Sequence, residues 1–294
     1  MICRNLEEHI VKLAGEFGER NIWKYSELEE AARYIESVLK ERGYMVREQQ
    51  FNVKNKSVCN IEAEIAGISK PEEIVLIGAH YDSIAGSPGA NDNASGVAAL
   101  LEIARLFIKE KPLRTVRFVA FVNEEPPFFK TKNMGSWIYA SRSRQNKEKI
   151  VAMFSLETIG YYSDTPGSQN YPFPLGYFYP TIGNFIAFVG NISSRRLVRH
   201  ALAVFRKNTA FPSQGVSAPS WIRGISWSDH WSFWEKGYSA VMITDTAPYR
   251  YDHYHTIEDT PEKIDYSRMA RVVTGITRIL NDISNAKGGQ NGYF

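Results

Sequence analysis

The side chains best suited to chemistry in this chain are imidazoles and carboxylates that fall in short polar runs after apolar ones. "GAHYDS" carries His80 and Asp82, two positions apart and so on one side of an extended chain. "GANDNASG" carries Asp92, "FVNEE" the adjacent acids Glu124 and Glu125, and "SLETIG" Glu157. "DHYHTIEDTP" adds His253 and His255. Histidine with carboxylate and no cysteine is the donor set of a catalytic zinc site, where an open position holds water. Two histidines with three or four carboxylates exceed one tetrahedral zinc. They suit two ions ~3.5–4 Å apart that share a bridging carboxylate. Asp82 fits the carboxylate that a metal-bound imidazole needs behind it. In a strand, Glu124 and Glu125 would point opposite ways, leaving one to bind metal and one free as a base. Glu157 lies in an apolar run, where an unpaired charge is costly, so it is expected to have a partner. His9 and His200 sit on helical patterns away from the acids and read as structural. His230, in "SDHWSFW", precedes a helix, with Asp229 beside it as a candidate group behind the metal. Spacing alone does not choose between His253 and His255.

These residues converge only if the elements before them do. Short apolar runs occur at "NIEAEIAG", "EIVLIGAH", "TVRFVAFV", "VAMFSLE", "NFIAFVG" and "AVMIT". Several are apolar on both faces, as central strands of a covered sheet must be. Helical stripes alternate with them: Val97, Leu100, Leu101, Ala104, Phe107 and Ile108; then Leu197, Val198, Ala201, Val204 and Phe205; then Met269 to Ile283, starting near Thr260–Pro261 or Asp265. Two further helical patterns open the chain, the second with a Ser26–Glu29 capping box and Gly43 as its stop. The expected fold is a single α/β domain over residues 1–294, with a mostly parallel (mixed) central sheet and helices on both faces. In such sheets ligands bind beyond the carboxyl ends of the strands, which is where the acids and histidines fall. Residues 161–181 are the longest irregular stretch, and their aromatics read as an ordered wall. The tail, 287–294, is expected to fray.

Composition narrows the partners. Of the 294 residues 44% are hydrophobic, and the net charge is +3, without a basic block of the kind nucleic acid requires. No window approaches the ~18 apolar residues of a membrane span. The first residues, "MICRNLEEHIVKLAGEF", carry acids where a signal peptide needs an apolar core, so a cytoplasmic protein is expected, although a processed secreted form would look the same. Cys3 and Cys59 are expected to be unpaired thiols.

"GAHYDS", "GANDNASGVAALLE", "FVNEE", "GSWIYA", "SDHWSFWEKGYSAVMITD" and "YHTIEDTPEKIDY" resemble, in this order, the motifs of the co-catalytic zinc aminopeptidases. This is the family of the bacterial leucyl and broad-specificity aminopeptidases, in a superfamily that includes the glutaminyl cyclases. The resemblance runs from about residue 25 to 285. It implies two zinc ions per chain, with His80 on one, Asp92 bridging, and Glu125 and His255 on the other. It also implies Glu124 as general base, Asp82 as the residue orienting His80, and peptides with a free N-terminus as substrates. The chain departs at Glu157, where the family usually has Asp in an "LDMIG"-like segment; Glu keeps the carboxylate but adds a methylene. The stretch "PPFFKTKNM" is longer than in compact members. Trp221, Trp227, Trp231, Phe233 and Trp234, with residues 161–181, are candidates for an apolar pocket or for core. A single-zinc, glutaminyl-cyclase-like acyltransferase is the alternative, but its bridging segment reads like "GATDSA", unlike "GANDNASG". A carboxypeptidase or dipeptidase of the superfamily would use the same metal set.

Overall fold

Four apolar strands set the frame in the computed structural model, which describes residues 1–286. The expected frayed tail lies outside the described residues. β3 (Lys70–His80), β4 (Arg114–Phe121), β5 (Lys149–Glu157) and β8 (Ala240–Thr244) lie side by side in the order β4-β3-β5-β8 and run parallel. β4 and β8 are buried at every residue, as strands covered on both faces must be. β1 (Val46–Val53) and β2 (Lys56–Ile65) extend the sheet antiparallel at one side. β6 (Ile186–Gly190) and β7 (Ser213–Ser217) extend it at the other, β6 antiparallel to β8. The fold is α/β, with one mixed eight-stranded sheet.

Strand alternation divides the core. Val75, Ile77 and Ala79 of β3 face one apolar cluster and Ile74 and Leu76 the other. The first cluster takes α1 (Ile2–Ile10), α2 (Tyr25–Glu41), α3 (Gly96–Phe107), α5 (Arg195–Asn208) and α7 (Tyr266–Asn285); the second takes α4 (Gly135–Gln145) and α6 (His230–Glu235). The stripes of α3, α5 and α7 are buried as their spacing predicts, and α7 starts at Asp265, whose side chain accepts the Arg268 N–H at 2.9 Å. α2 stops at Glu41, before Gly43 at φ +95°. Its expected capping box does not form. Ser26 falls inside the first turn and donates to Glu27, while Asn21 Oδ1 accepts the N–H groups of Trp23 and Lys24 ahead of the helix.

Residues 161–181 contain only a short helical turn, Leu175–Tyr177. Tyr171 and Leu175 pack against Phe185 and Met242, whereas Phe173, Tyr177 and Phe178 are exposed. Cys3 and Cys59 are both free thiols. Among the described residues no helix is long and apolar enough to cross a membrane.

Candidate metal centre

The four parallel strands bring their carboxyl ends to one edge. His80 and Glu157 are the last residues of β3 and β5. Glu124 and Glu125 follow β4 by a few residues, His255 lies in the loop after β8, and Asp92 lies in the short helical segment Ala90–Ser95 that leads into α3. Two donor groups result, each with its ligating atoms within 4.8 Å of one another: His80, Asp92 and Glu157, and Asp92, Glu125 and His255. Asp92 belongs to both. Its Oδ1 stands 3.3 Å from His80 Nε2 and its Oδ2 3.0 Å from His255 Nε2. Glu157 Oε2 is 3.3 Å from His80 Nε2, and Glu125 Oε1 is 3.5 Å from His255 Nε2. Glu124 stands at the edge of the first group, 4.0 Å from His80 Nε2.

Glu124 and Glu125 lie beyond β4, which ends at Phe121, so the alternation of a strand does not set their directions. Asn123, at φ 59°, redirects the chain just before them. Thr158 (φ 46°) follows Glu157, and His255 is itself at φ 61°. Left-handed backbone at non-glycine residues costs roughly 1–3 kcal/mol each and gathers where geometry must be held. Tyr254 braces His255 by stacking on its ring at 3.8 Å.

Asp82 does more than stand behind His80. Its two carboxylate oxygens accept the main-chain N–H groups of Glu124 and Glu125, each at 3.1 Å. His80 Nδ1 lies 3.1 Å from the Asp82 carbonyl oxygen and 3.6 Å from its carboxylate. One residue thus fixes the imidazole and ties the end of β3 to the Glu pair. Asp259 acts in the same manner on Asp92: it accepts the N–H groups of Asn91 (2.9 Å) and Asp92 (3.0 Å). Asp245 holds the Asn91 amide at 2.9 Å, and Ser228 donates to Glu157 Oε2 at 2.7 Å. Asp259 and Ser228 carry no sequence signal for these tasks, since their partners are distant in the chain and two are peptide N–H groups.

The other candidates fall elsewhere. His253 pairs with Glu258 at 2.8 Å, outside both groups. His230 Nε2 bonds the Ile225 carbonyl at 2.8 Å, and burial lowers its pKa to about 3. Asp229 belongs to neither donor group; its burial beside Glu157 and Asp82 raises it to about 7. His9 meets Tyr34 and His200 meets Asp282, both far from the acids.

The electrostatics of the centre favour a cation. Burial, with Glu157 and Glu125 close by, holds Glu124 well above the usual carboxylate range. Burial and Asp92 bring Glu125 to about 7, and Glu157 also rises. Burial works against the charge on Asp92 too, yet His255 and His80 pull it well below its ordinary value. Burial likewise disfavours a charged His255, but Asp92 and Glu125 raise it to about 10. Two imidazoles do not offset so many buried carboxylates. Moreover His80 Nε2, Asp92 Oδ1, Glu125 Oε1 and His255 Nε2 are buried with no hydrogen-bond partner. Orphaned nitrogen and oxygen donors around surplus negative charge fit divalent cations of the zinc type.

A cavity opens beside the centre, with Glu157 and Tyr254 among its lining and Phe185, Ile225, Trp227, Met242 and Tyr249 as walls. Of the other tryptophans considered, Trp231 stacks on Trp137 at 5.2 Å, Trp234 donates to the Ala240 carbonyl, and Trp221 is exposed. Phe233 is core.

A profile of Peptidase family M28 matches residues 60–280. YfbL of Escherichia coli K12, an uncharacterized protein, is 39% identical over 284 residues, covering 94% of this chain and 86% of YfbL. Aminopeptidase YwaD of Bacillus subtilis is 29% identical over 255 residues, 80% of this chain and 48% of YwaD. YfbL apart, the chain spans about half the length of the curated relatives that follow it. The fold is similar to that of BSAP, a zinc aminopeptidase from Bacillus subtilis (TM-score 0.78, 16% identity, 98% of this chain and 96% of that one). It is also similar to a glutaminyl cyclase from Tannerella forsythia (TM-score 0.69, 21% identity, 97% and 99%).

Proposed function

The chain belongs to peptidase family M28, and on that premise we propose that it is a zinc-dependent aminopeptidase that removes the first residue of peptides with a free N-terminus, using two zinc ions. The observation that carries this reading is Asp92, with one carboxylate oxygen turned to His80 and the other to His255. A single-zinc acyltransferase has no use for a second complete donor group on the same carboxylate.

In this reading His80, Asp92 and Glu157 hold one ion, and Asp92, Glu125 and His255 the other. Zinc, when bound, supplies a Lewis acid that lowers the pKa of water and offsets charge developing on the scissile carbonyl oxygen. Glu124 belongs to neither donor group and remains free as the base. It accepts the proton of the attacking water at its carboxylate and returns it to the leaving amine. Its burial favours that role, because it raises the carboxylate's affinity for a proton above the ordinary value. Asp82 keeps the Glu124 main chain in place throughout. The surplus of carboxylate suits a substrate with a protonated α-amine, and the adjoining, mostly apolar cavity suits the rest of a short peptide.

The test is metal analysis together with an assay on aminoacyl, unblocked and N-acetylated peptides, with and without a chelator. Two zinc per chain and chelator-sensitive release of the first residue from unblocked peptides only are expected. One zinc with cyclisation of N-terminal glutamine, or cleavage of acetylated peptides alone, would replace this reading with another.

A further inference from the structure

Residues 126–134, the longer stretch between Glu125 and α4, carry Lys130 in a left-handed conformation, φ 55°. Its ammonium donates to Ser226 Oγ at 2.7 Å and lies over the rings of Phe129 and Trp231, at 5.3 and 5.5 Å. Ser226 stands two residues before Ser228, which holds Glu157. Cα atoms two residues apart are separated by at most about 7 Å. Lys130 is therefore tied, through Ser226, to the short segment whose Ser228 holds Glu157, and the charge of Glu124 acts on its ammonium. On the same 221–231 segment Arg223 lines the cavity that Glu157 also lines, with its guanidinium 5.6 Å from the Trp227 ring centre.

Most cations near the sheet hold a carboxylate: Arg117 and Arg114 pair with Glu64 and Glu73. Among the described residues neither Lys130 nor Arg223 has a carboxylate at ion-pair distance. An ammonium has three N–H donors and a guanidinium five, so both keep donors to offer after these contacts. The 221–231 segment thus has Ser228 on the acidic centre, Arg223 at the cavity and Lys130 bonded to Ser226. That is the charge pattern of a short zwitterionic peptide, whose α-amine and α-carboxylate lie on either side of the scissile bond.

We propose that Lys130 and Arg223 bind the α-carboxylate of the substrate, so that the enzyme selects di- and tripeptides over longer or C-terminally blocked chains. This rests on the aminopeptidase reading. Both are specificity residues; neither touches the reacting atoms.

The experiment compares leucyl-leucine, its C-terminal amide, a leucine-initiated hexapeptide and N-acetyl-leucyl-leucine on the zinc-loaded protein, and on Lys130→Gln, Arg223→Gln and the double variant. The amide and the hexapeptide should show KM at least ten-fold above that of leucyl-leucine, with kcat changed far less. Each variant should shrink the acid-to-amide ratio, and the double variant should bring it near one. Equal KM for acid and amide in the natural protein overturns the proposal, as does a ratio that survives the double variant. Calorimetric binding of the dipeptide and its amide to zinc-loaded Glu124→Gln reads the same preference without turnover. There a tenfold tighter acid supports the proposal and equal affinities refute it. Failure to cleave any unblocked peptide, by contrast, counts against the aminopeptidase reading.

Discussion

Glu124 and Glu125 are neighbours in sequence with different surroundings, and the main chain makes the difference. Asp82 fixes both peptide N–H groups, while the turn at Asn123 sends Glu125 toward His255 and leaves Glu124 beside His80 without a place in either donor group. Glu124→Gln keeps the shape and removes the proposed base. Turnover should fall by ~10²–10⁴-fold, the span typical of lost general-base catalysis, with zinc content by metal analysis unchanged. Loss of zinc in step with activity would instead make Glu124 a ligand. The side chains that end strands were legible in the sequence, because an apolar run followed by His, Glu or Asp marks a strand end in an α/β sheet. Asp259 and Ser228 were not. They act on a main-chain N–H or on one carboxylate oxygen from far along the chain, and no local pattern records such a bond.

The loop from Tyr81 to Ser95 has few apolar side chains to pin it, and a buried cation does so instead. Arg20 is wholly buried and donates to the carbonyls of Tyr81 and Gly89 (2.8 and 2.9 Å), to Pro88, and to Leu13 and Gly18 in its own segment (3.3 and 2.9 Å). Its charge also faces Asp82, Asp259, Asp92 and Glu125. Arg20→Met would leave those carbonyls buried and unpaired, each at about 1–3 kcal/mol, and would remove a cation from an acidic site. Urea midpoints should drop, and zinc affinity, measured by chelator competition on whatever protein remains folded, should weaken, because loss of the loop's anchor outweighs what a dication gains from a more negative site. Unaltered zinc affinity in a folded Arg20→Met protein would confine Arg20 to structural support. Arg20→Lys should recover little, since an ammonium is a point donor and not a fork. The elements that sequence pattern missed share one property. β1 is an edge strand buried on few residues, β7 has five residues and a glycine, and α4 lacks an apolar stripe. Periodicity needs both length and a one-sided environment, and none of these has both.

At the scale of the whole molecule, acid should unfold this protein partly through histidines that have nothing to do with the metal. His9 is held in its neutral form between α1 and α2, its Nδ1 2.6 Å from the Tyr34 hydroxyl, and burial lowers its pKa from 6.5 to about 4. His230 is lowered further, to about 3, also by burial. Unfolded, each would titrate near its ordinary value, so below pH 6.5 the unfolded chain binds protons that the folded one refuses. The stability these sites permit is therefore complete above about pH 6.5, drains away as pH falls, and levels off once His9 itself protonates near 4. For His9 the drop is about 3 kcal/mol at ~1.4 kcal/mol per pKa unit. Carboxylates and metal ligands titrate over the same range, so the contribution of His9 is read by difference. Natural protein and His9→Phe, both kept in chelator, are unfolded in urea at several pH values between 7 and 4. The natural protein should lose stability more steeply than the variant across that window, and the two should run parallel above it. Parallel curves throughout would show that His9 is free to take a proton in the folded protein, and that α1 does not seal it from water.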